Sequence, residues 1–262
     1  MMLRYIALKR LFLRSQNLIY GFLGFVMVLV AWDLLTRTGL VDPFFISSPG
    51  RTWNALLDEV GRGTMMKDLA ATAGSFGAGL AIAIVIGVPL ALLTAWFKYI
   101  EYVVDPFFWF LYNVPKLAFY PLFIIWLGLG TPTIVALTAL FAVFPIFANT
   151  FTGVREVNPL FLIAARSFGA HQWQLFARVV LPAAAPVILA GVRLGIGRGM
   201  VGVIIAEMFG ATAGLGFRMN YSASLLRTSE YFAPLVVVVA LGLLIDQLLR
   251  VVERKVGRWN QT

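Results

Sequence analysis

A few charged and amide side chains lie inside long apolar stretches of this chain, and these residues have the most scope for chemistry. They are Asn113, Lys116, Arg193, Arg198 and Glu207. A charged group at membrane depth is costly, so it faces protein or water, and it commonly marks the pathway of a polar solute. Because three of the five are cations and one is an acid, the pattern favours an anion as that solute.

The same charges also permit a purely structural interpretation. Arg193 and Glu207 are separated by fourteen positions, which puts them on one helix face but about 20 Å apart along the axis. Arg198 lies on roughly the opposite face from Glu207. Each group therefore needs a partner on another span or in a second subunit. Either these side chains line a pathway, or Arg193 or Arg198 pairs with Glu207 of a neighbouring element and holds the spans together.

The sequence offers almost nothing for catalysis. It has no cysteine and one histidine, and it contains no Walker sequence, acidic pair, serine triad or metal-binding cluster. We therefore predict a protein that is not an enzyme and binds no cofactor of its own. The net charge of +9 does not indicate nucleic acid, because the basic residues stand at the ends of apolar stretches rather than in one patch.

The composition predicts an all-α polytopic membrane protein. Of its 262 residues, 60% are hydrophobic and only 13% are charged, whereas soluble domains carry about 25% charged residues. The third of six predicted spans is interrupted by Pro115 and Pro121, since proline removes a backbone hydrogen bond. The six spans are predicted at about residues 18–35, 69–97, 106–127, 133–151, 185–209 and 231–249. A short surface helix is predicted from Pro49 to Val60.

The distribution of basic residues predicts the orientation. Residues 1–17 are basic and amphipathic and are expected to lie on the cytoplasmic face, ahead of a membrane domain over residues 18–262. With six spans, twelve Lys and Arg residues lie on the side of the termini and six on the other side. The positive-inside rule then places both termini in the cytoplasm.

An amphipathic stretch between the fourth and fifth spans, residues 153–182, predicts two short helices. Asn158 followed by Pro159 is typical of a helix start. Gly169 is expected to end the first helix in a left-handed conformation. Leu181-Pro182 is expected to end the second, because the residue before proline is pushed out of the α region.

The run from Ala164 to Gly169, with Leu181-Pro182 about a dozen residues further on, resembles the "EAA" loop of ABC-importer permeases. The similarity extends from about Ser47 to the C-terminus and is greatest to the nitrate, sulfonate, taurine and bicarbonate importers. The position where the family often has Glu is Ile163 here. The resemblance implies that this loop is a cytoplasmic coupling helix that docks on an ATPase. The implied coupling residues are Ala164, Ala165, Arg166, Ser167, Gly169, His171, Leu181 and Pro182.

The resemblance also implies the partners. It predicts a homodimer in the lipids of a bacterial cytoplasmic membrane, two cytoplasmic ATPase subunits that bind ATP and Mg²⁺, and an extracytoplasmic binding protein. The expected cargo is nitrate, bicarbonate, taurine or an alkanesulfonate, or an aromatic carboxylate. A secondary transporter and a non-transporting scaffold are the alternatives. A secondary transporter would need two halves with matching interrupted spans, and only one broken span is evident in the sequence.

Overall fold

The computed structural model describes the backbone of residues 2–42 and 44–257 and the side chains of residues 19–21, 23–42 and 44–251. The chain is 86% helical, and the described residues contain no strand. The helices are α1 (Met2–Arg37), α2 (Pro49–Gly61), α3 (Thr64–Trp96), α4 (Lys98–Asn113), a 3₁₀ turn (Lys116–Phe119), α5 (Tyr120–Leu127), α6 (Thr131–Arg155), α7 (Pro159–Ser167), α8 (Gln172–Leu175), a π-helical turn (Phe176–Val180), α9 (Leu181–Gly210), α10 (Leu215–Ser224) and α11 (Thr228–Gly257).

Five of these helices are long and apolar enough to cross a membrane, and the broken pair α4–α5 makes a sixth candidate. The two halves of the pair meet at 97°. The break falls at Val114-Pro115, where Val114 is extended. Pro121 does not contribute to it, because it lies in the first turn of α5, where proline is tolerated. The prediction of an all-α polytopic protein is confirmed, with five to six candidate spans, and the predicted interruption of the third is present as this bend.

Helix α6 is the centre of the bundle, with α3 on one side and α9 on the other. Glycines allow this close packing. A Cβ atom at Gly79 of α3 would lie 2.6 Å from Thr138, and one at Gly195 of α9 would lie 2.5 Å from Ile146. Small residues let helix backbones approach where lipid removes the hydrophobic drive for helix association. The bundle core therefore depends on these glycines for its geometry.

Three local predictions differ from the structure. The link expected at residues 98–105 is helical and forms the first half of α4. The loop expected between the last two spans contains the ten-residue helix α10. Leu181-Pro182 does not end a helix, because Leu181 is itself α-helical (φ −62°, ψ −46°). The π-helical turn ends at Val180, two residues before Pro182, and it changes the hydrogen-bond spacing near the position where the proline lacks its N–H, so the helix continues without a stop.

The boundary between residues 17 and 18 is not marked in the backbone, because α1 runs through it without interruption. The predicted position of residues 1–17 on the membrane surface depends on their side chains. These side chains lie outside the described residues, so the position stays a prediction. The predicted surface helix is present as α2. It begins at Ser48, whose side chain accepts a hydrogen bond from the backbone N–H of Arg51 at 3.3 Å.

Candidate functional site

The coupling segment, residues 153–182, follows from the end of α6 into the short helix α7. The Asn158 side chain accepts a hydrogen bond from the Leu160 N–H at 2.9 Å and caps the helix. At the other end Gly169 has φ +79°. Its N–H donates to Arg166 O, and the Ala170 N–H donates to Ala165 O at 3.1 Å. This pair of bonds is the Schellman motif, so the predicted left-handed stop at Gly169 is confirmed.

The outer face of the coupling segment is apolar and uncovered by any described part of the chain. Five large side chains there are more than half exposed, and Phe168 reaches 91%. The five are Leu160, Phe161, Ile163, Phe168 and Trp173. Helix α7 contributes no fully buried residue of its own. A concentration of large exposed apolar side chains on one short segment is typical of an interaction site.

The inner face of the coupling segment is fixed to the bundle. Leu162 and Phe176 pack against a cluster that contains Val154, Val180 and Ala184. The Phe176 ring also meets Trp96 at the end of α3, edge to face, at 5.1 Å between centroids. These contacts hold the segment against the ends of α3, α6 and α9.

The predicted coupling residues lie at two places. Ala164, Arg166, Ser167, Gly169 and His171 are exposed, and Ala165 is half-buried. Leu181 and Pro182 lie in the first turn of α9 instead of a linker. The helical chain from Gln172 to Gly210 is continuous over 39 residues. The second half of the coupling segment is thus a direct extension of the fifth span.

The predicted pathway residues separate into three groups. Asn113, Lys116 and Arg198 line one cavity of about 340 Å³ at the break between α4 and α5, which we call the bend cavity. Its other walls are Tyr112, Val114, Pro115, Phe141, Phe144 and Pro145. Arg198 also lines a neighbouring groove of about 810 Å³ together with Arg193. Glu207 lies in neither.

Glu207 belongs to a buried polar cluster that holds the start of α10. The residue is 1% exposed, and one oxygen of its carboxylate, Oε2, accepts hydrogen bonds from Thr72 Oγ1 and from the Gly216 N–H, each at 2.9 Å. The other oxygen, Oε1, is buried and has no hydrogen-bond partner among the described residues. Thr72 Oγ1 accepts in turn from the Leu215 N–H at 2.9 Å, and Asp68 accepts from the Gly214 N–H at 3.0 Å. We call Asp68, Thr72 and Glu207 the polar cradle. It satisfies three backbone N–H groups at a helix start.

Arg218 of α10 closes the polar cradle from outside, because its guanidinium pairs with the Asp68 carboxylate at 2.7 Å. Nearby, Glu59 of α2 is only 8% exposed. Burial raises the pKa of the Glu59 carboxyl above its ordinary value, and the positive charge of Arg218 opposes part of that rise.

Arg193 forms an ion pair that sequence reasoning missed. Its guanidinium meets the Asp246 carboxylate of α11 at 2.5 Å, and Arg250 bonds the other oxygen of Asp246 at 2.8 Å. Within this chain Arg193 thus pairs with Asp246, and a pairing with Glu207 of a second subunit stays a prediction. The apolar pattern of the sequence predicted where the sixth span lies along the chain. It did not predict which residue of α9 would contact Asp246 of that span.

The comparisons with known proteins identify the class. The profile of the family "Binding-protein-dependent transport system inner membrane component" matches residues 83–258. The chain is 29% identical over 239 residues to the taurine transport system permease protein of Escherichia coli (strain K12), covering 89% of this chain and 87% of that protein. It is 31% identical over 247 residues to a probable ABC transporter permease protein of Brucella melitensis biotype 1, covering 94% and 99%.

Among solved structures, the methionine ABC transporter MetNI in an inward-facing conformation matches with a TM-score of 0.64. The match covers 71% of this chain and 93% of that chain at 18% identity, so it concerns the fold alone. A multi-pass α-helical membrane protein is the class that the fold defines. Within it, this chain belongs to the family of binding-protein-dependent inner membrane components, the ABC-importer permeases.

Proposed function

We propose that this chain is the permease subunit of an ATP-driven importer for a small anion. The apolar outer face of the coupling segment carries the proposal, because no described residue covers it. Arg166 and Gln172 stand among the apolar side chains, so the surface fits a protein partner with an apolar groove and a polar rim. The expected partner is the cytoplasmic ATPase, in two copies, which binds ATP and Mg²⁺.

The continuous helix from the coupling segment into α9 supports a direct mechanical link. At 1.5 Å per residue, its 39 residues extend about 58 Å. Arg198 lies on this helix and lines the bend cavity. A displacement of Trp173 by the ATPase would therefore move one wall of that cavity. In this proposal the ATPase drives alternating access through a rigid element, and this chain performs no chemistry itself.

The remaining partners follow from the same proposal. An extracytoplasmic binding protein delivers the cargo, and a second copy of this chain completes the pathway in a bacterial cytoplasmic membrane. Nitrate, bicarbonate, taurine, alkanesulfonates and aromatic carboxylates are the candidate cargoes, and the name of the Escherichia coli relative includes taurine. Membership in the permease family leaves the two alternatives, a secondary transporter and a scaffold, without support.

The coupling role predicts a specific defect. Ala164 is exposed on α7, so Ala164→Trp should fold normally but obstruct docking. Gly169→Val should distort the same surface, because a left-handed β-branched residue costs about 1–3 kcal/mol. We expect both variants to lose most ATP-dependent uptake in vesicles that contain the permease, its ATPase and the binding protein. The Ala165→Trp variant should behave similarly.

The matched control is Ala78→Trp, which adds the same bulk at an exposed position of α3. This variant should copurify with the ATPase and import at the wild-type rate. Wild-type uptake and ATPase copurification by Ala164→Trp and Ala165→Trp would show that α7 is not the docking surface.

The proposed orientation is tested by accessibility. The chain has no cysteine, so single cysteines can be introduced at the exposed positions His171 and Arg51. With a membrane-impermeant maleimide, His171→Cys should react only from the cytoplasmic side and Arg51→Cys only from outside. The opposite labelling pattern would reject both the orientation and the coupling role.

A further inference from the structure

We infer that the bend cavity is a binding site within the membrane domain for an organic anion that has one anionic head and a compact apolar body. The inference rests on the proposed function and deepens it, because it selects among the candidate cargoes. It favours sulfonates and carboxylates with an apolar group over nitrate and bicarbonate.

The first argument concerns the hydrogen-bond donors of Lys116. Its ammonium donates to the Tyr112 carbonyl at 2.7 Å and lies over the rings of Tyr112 and Phe144, at 5.2 and 4.8 Å from their centroids. These contacts fix the position of the charge but use one of the three N–H donors of an ammonium. The other donors remain for a ligand oxygen inside the cavity.

The second argument concerns Arg198. Its side chain lines the same bend cavity as Lys116 and forms no hydrogen bond or ion pair with the described residues. A guanidinium presents a planar fork of donors that matches the oxygens of a carboxylate or sulfonate. Two cations on one cavity repel each other, and a bound anion would relieve that repulsion.

The third argument is the charge balance of the cavity. No acid is present among the described residues that line it. In the adjacent groove, by contrast, Arg193 is paired with Asp246. An uncompensated cation pair at membrane depth is costly to maintain. That cost is readily understood if an anionic ligand provides the missing charge during transport.

The fourth argument concerns the apolar part of the ligand. Phe141, Phe144 and the ring of Tyr112 form the remaining walls with Val114, Pro115 and Pro145. The volume of about 340 Å³ lies at the lower end of small-molecule pockets, about 300–1,000 Å³. A small inorganic oxyanion would leave the aromatic walls in contact with water, whereas an apolar body would cover them and gain free energy by burial.

The test uses the purified permease–ATPase complex in detergent, without the binding protein and without nucleotide. Calorimetric titrations compare benzenesulfonate, methanesulfonate and nitrate at equal ionic strength. We expect benzenesulfonate to bind, with methanesulfonate and nitrate each weaker by about tenfold or more, because burial of the ring is worth at least that factor. This comparison on the wild-type complex requires no variant to fold.

Variants then locate the site. Lys116→Gln and Arg198→Gln should each weaken benzenesulfonate binding by about tenfold, as expected for loss of one charged hydrogen-bond donor. Arg198→Lys should recover part of the affinity. Lys98→Gln removes a positive charge from an exposed position that lines neither cavity, and it should bind like the wild type.

Three results would overturn the inference. They are nitrate binding as tight as that of benzenesulfonate, wild-type affinity in both Gln variants, and no binding of any of the three anions. Each of these leaves the proposed function intact if the complex still hydrolyses ATP and imports with its binding protein. Failure of the permease to copurify with an ATPase would instead reject the proposed function and this inference with it.

Discussion

The polar cradle and the bend cavity place charged groups inside the same bundle in opposite ways. In the polar cradle, Glu207 is 1% exposed and accepts two hydrogen bonds from α3 and α10. In the bend cavity, Arg198 is exposed and forms no ion pair with an acid among the described residues. The first arrangement holds the acid with two hydrogen-bond donors of the protein, and the second leaves the cation without an acidic partner among the described residues.

The difference shows that charge at membrane depth is not by itself evidence for a pathway. The burial and the partners of each group decide its role. Glu207 connects two spans to a short helix that sequence periodicity did not reveal, and we therefore expect its role to be structural. Lys116 and Arg198 come from separate elements and converge on a cavity, which is the geometry of a binding site.

The largest effect that would sharpen this comparison is expected at Glu207. Replacing it with Ala leaves the Gly216 N–H and the Thr72 hydroxyl without their acceptor, and each stranded buried group costs about 1–3 kcal/mol. The variant should lower the thermal stability and the yield of the complex. We expect the uptake by whatever complex remains to be normal per molecule. Melting temperature, yield and uptake are the three measurements.

The matched control for this prediction is Glu156→Ala, which removes an exposed acid at the end of α6 and should change stability by less than about 0.5 kcal/mol. Wild-type stability in Glu207→Ala combined with lost uptake would place Glu207 in the pathway and remove the contrast with the bend cavity.

Local sequence signals predicted the fold and much of the coupling segment. Apolar length predicted the spans, and the Asn158 cap and the glycine at position 169 predicted the bounds of α7, because each signal acts within a few residues. Pro182 misled the prediction for the same reason. The rule for the residue before proline is local, and the π-helical turn in front of it provided another solution.

The partners of the charges could not be predicted, because they depend on how distant helices pack. Glu207 bonds Thr72, which is 135 positions away, and Arg193 bonds Asp246, which is 53 positions away. Helix α10 was not predicted because it is only ten residues long and most of its residues are small or polar. Its start is fixed by side chains from α3 and α9 rather than by a cap of its own.

A smaller loss of stability is expected from replacing Arg193, whose environment is intermediate between those of the polar cradle and the bend cavity. Its ion pair with Asp246 joins α9 to α11, yet both side chains are about one third exposed, at 30% and 33%. Solvent screening weakens such a pair. We therefore expect Arg193→Gln and Asp246→Asn each to lower the melting temperature of the complex slightly, with unchanged uptake per assembled complex.

A double-mutant cycle tests whether the pair acts as a unit. If Arg193 acts chiefly through Asp246, then adding Arg193→Gln to Asp246→Asn should cost little more than Asp246→Asn alone. Asp246→Asn should have the larger single effect, because Asp246 also bonds Arg250 at 2.8 Å. A pathway cation would behave differently: Arg193→Gln would reduce uptake at an unchanged melting temperature, while Asp246→Asn would leave the positive charge in place and preserve transport. That pattern would move Arg193 into the same functional group as Arg198 and extend the anion site from the bend cavity into the neighbouring groove.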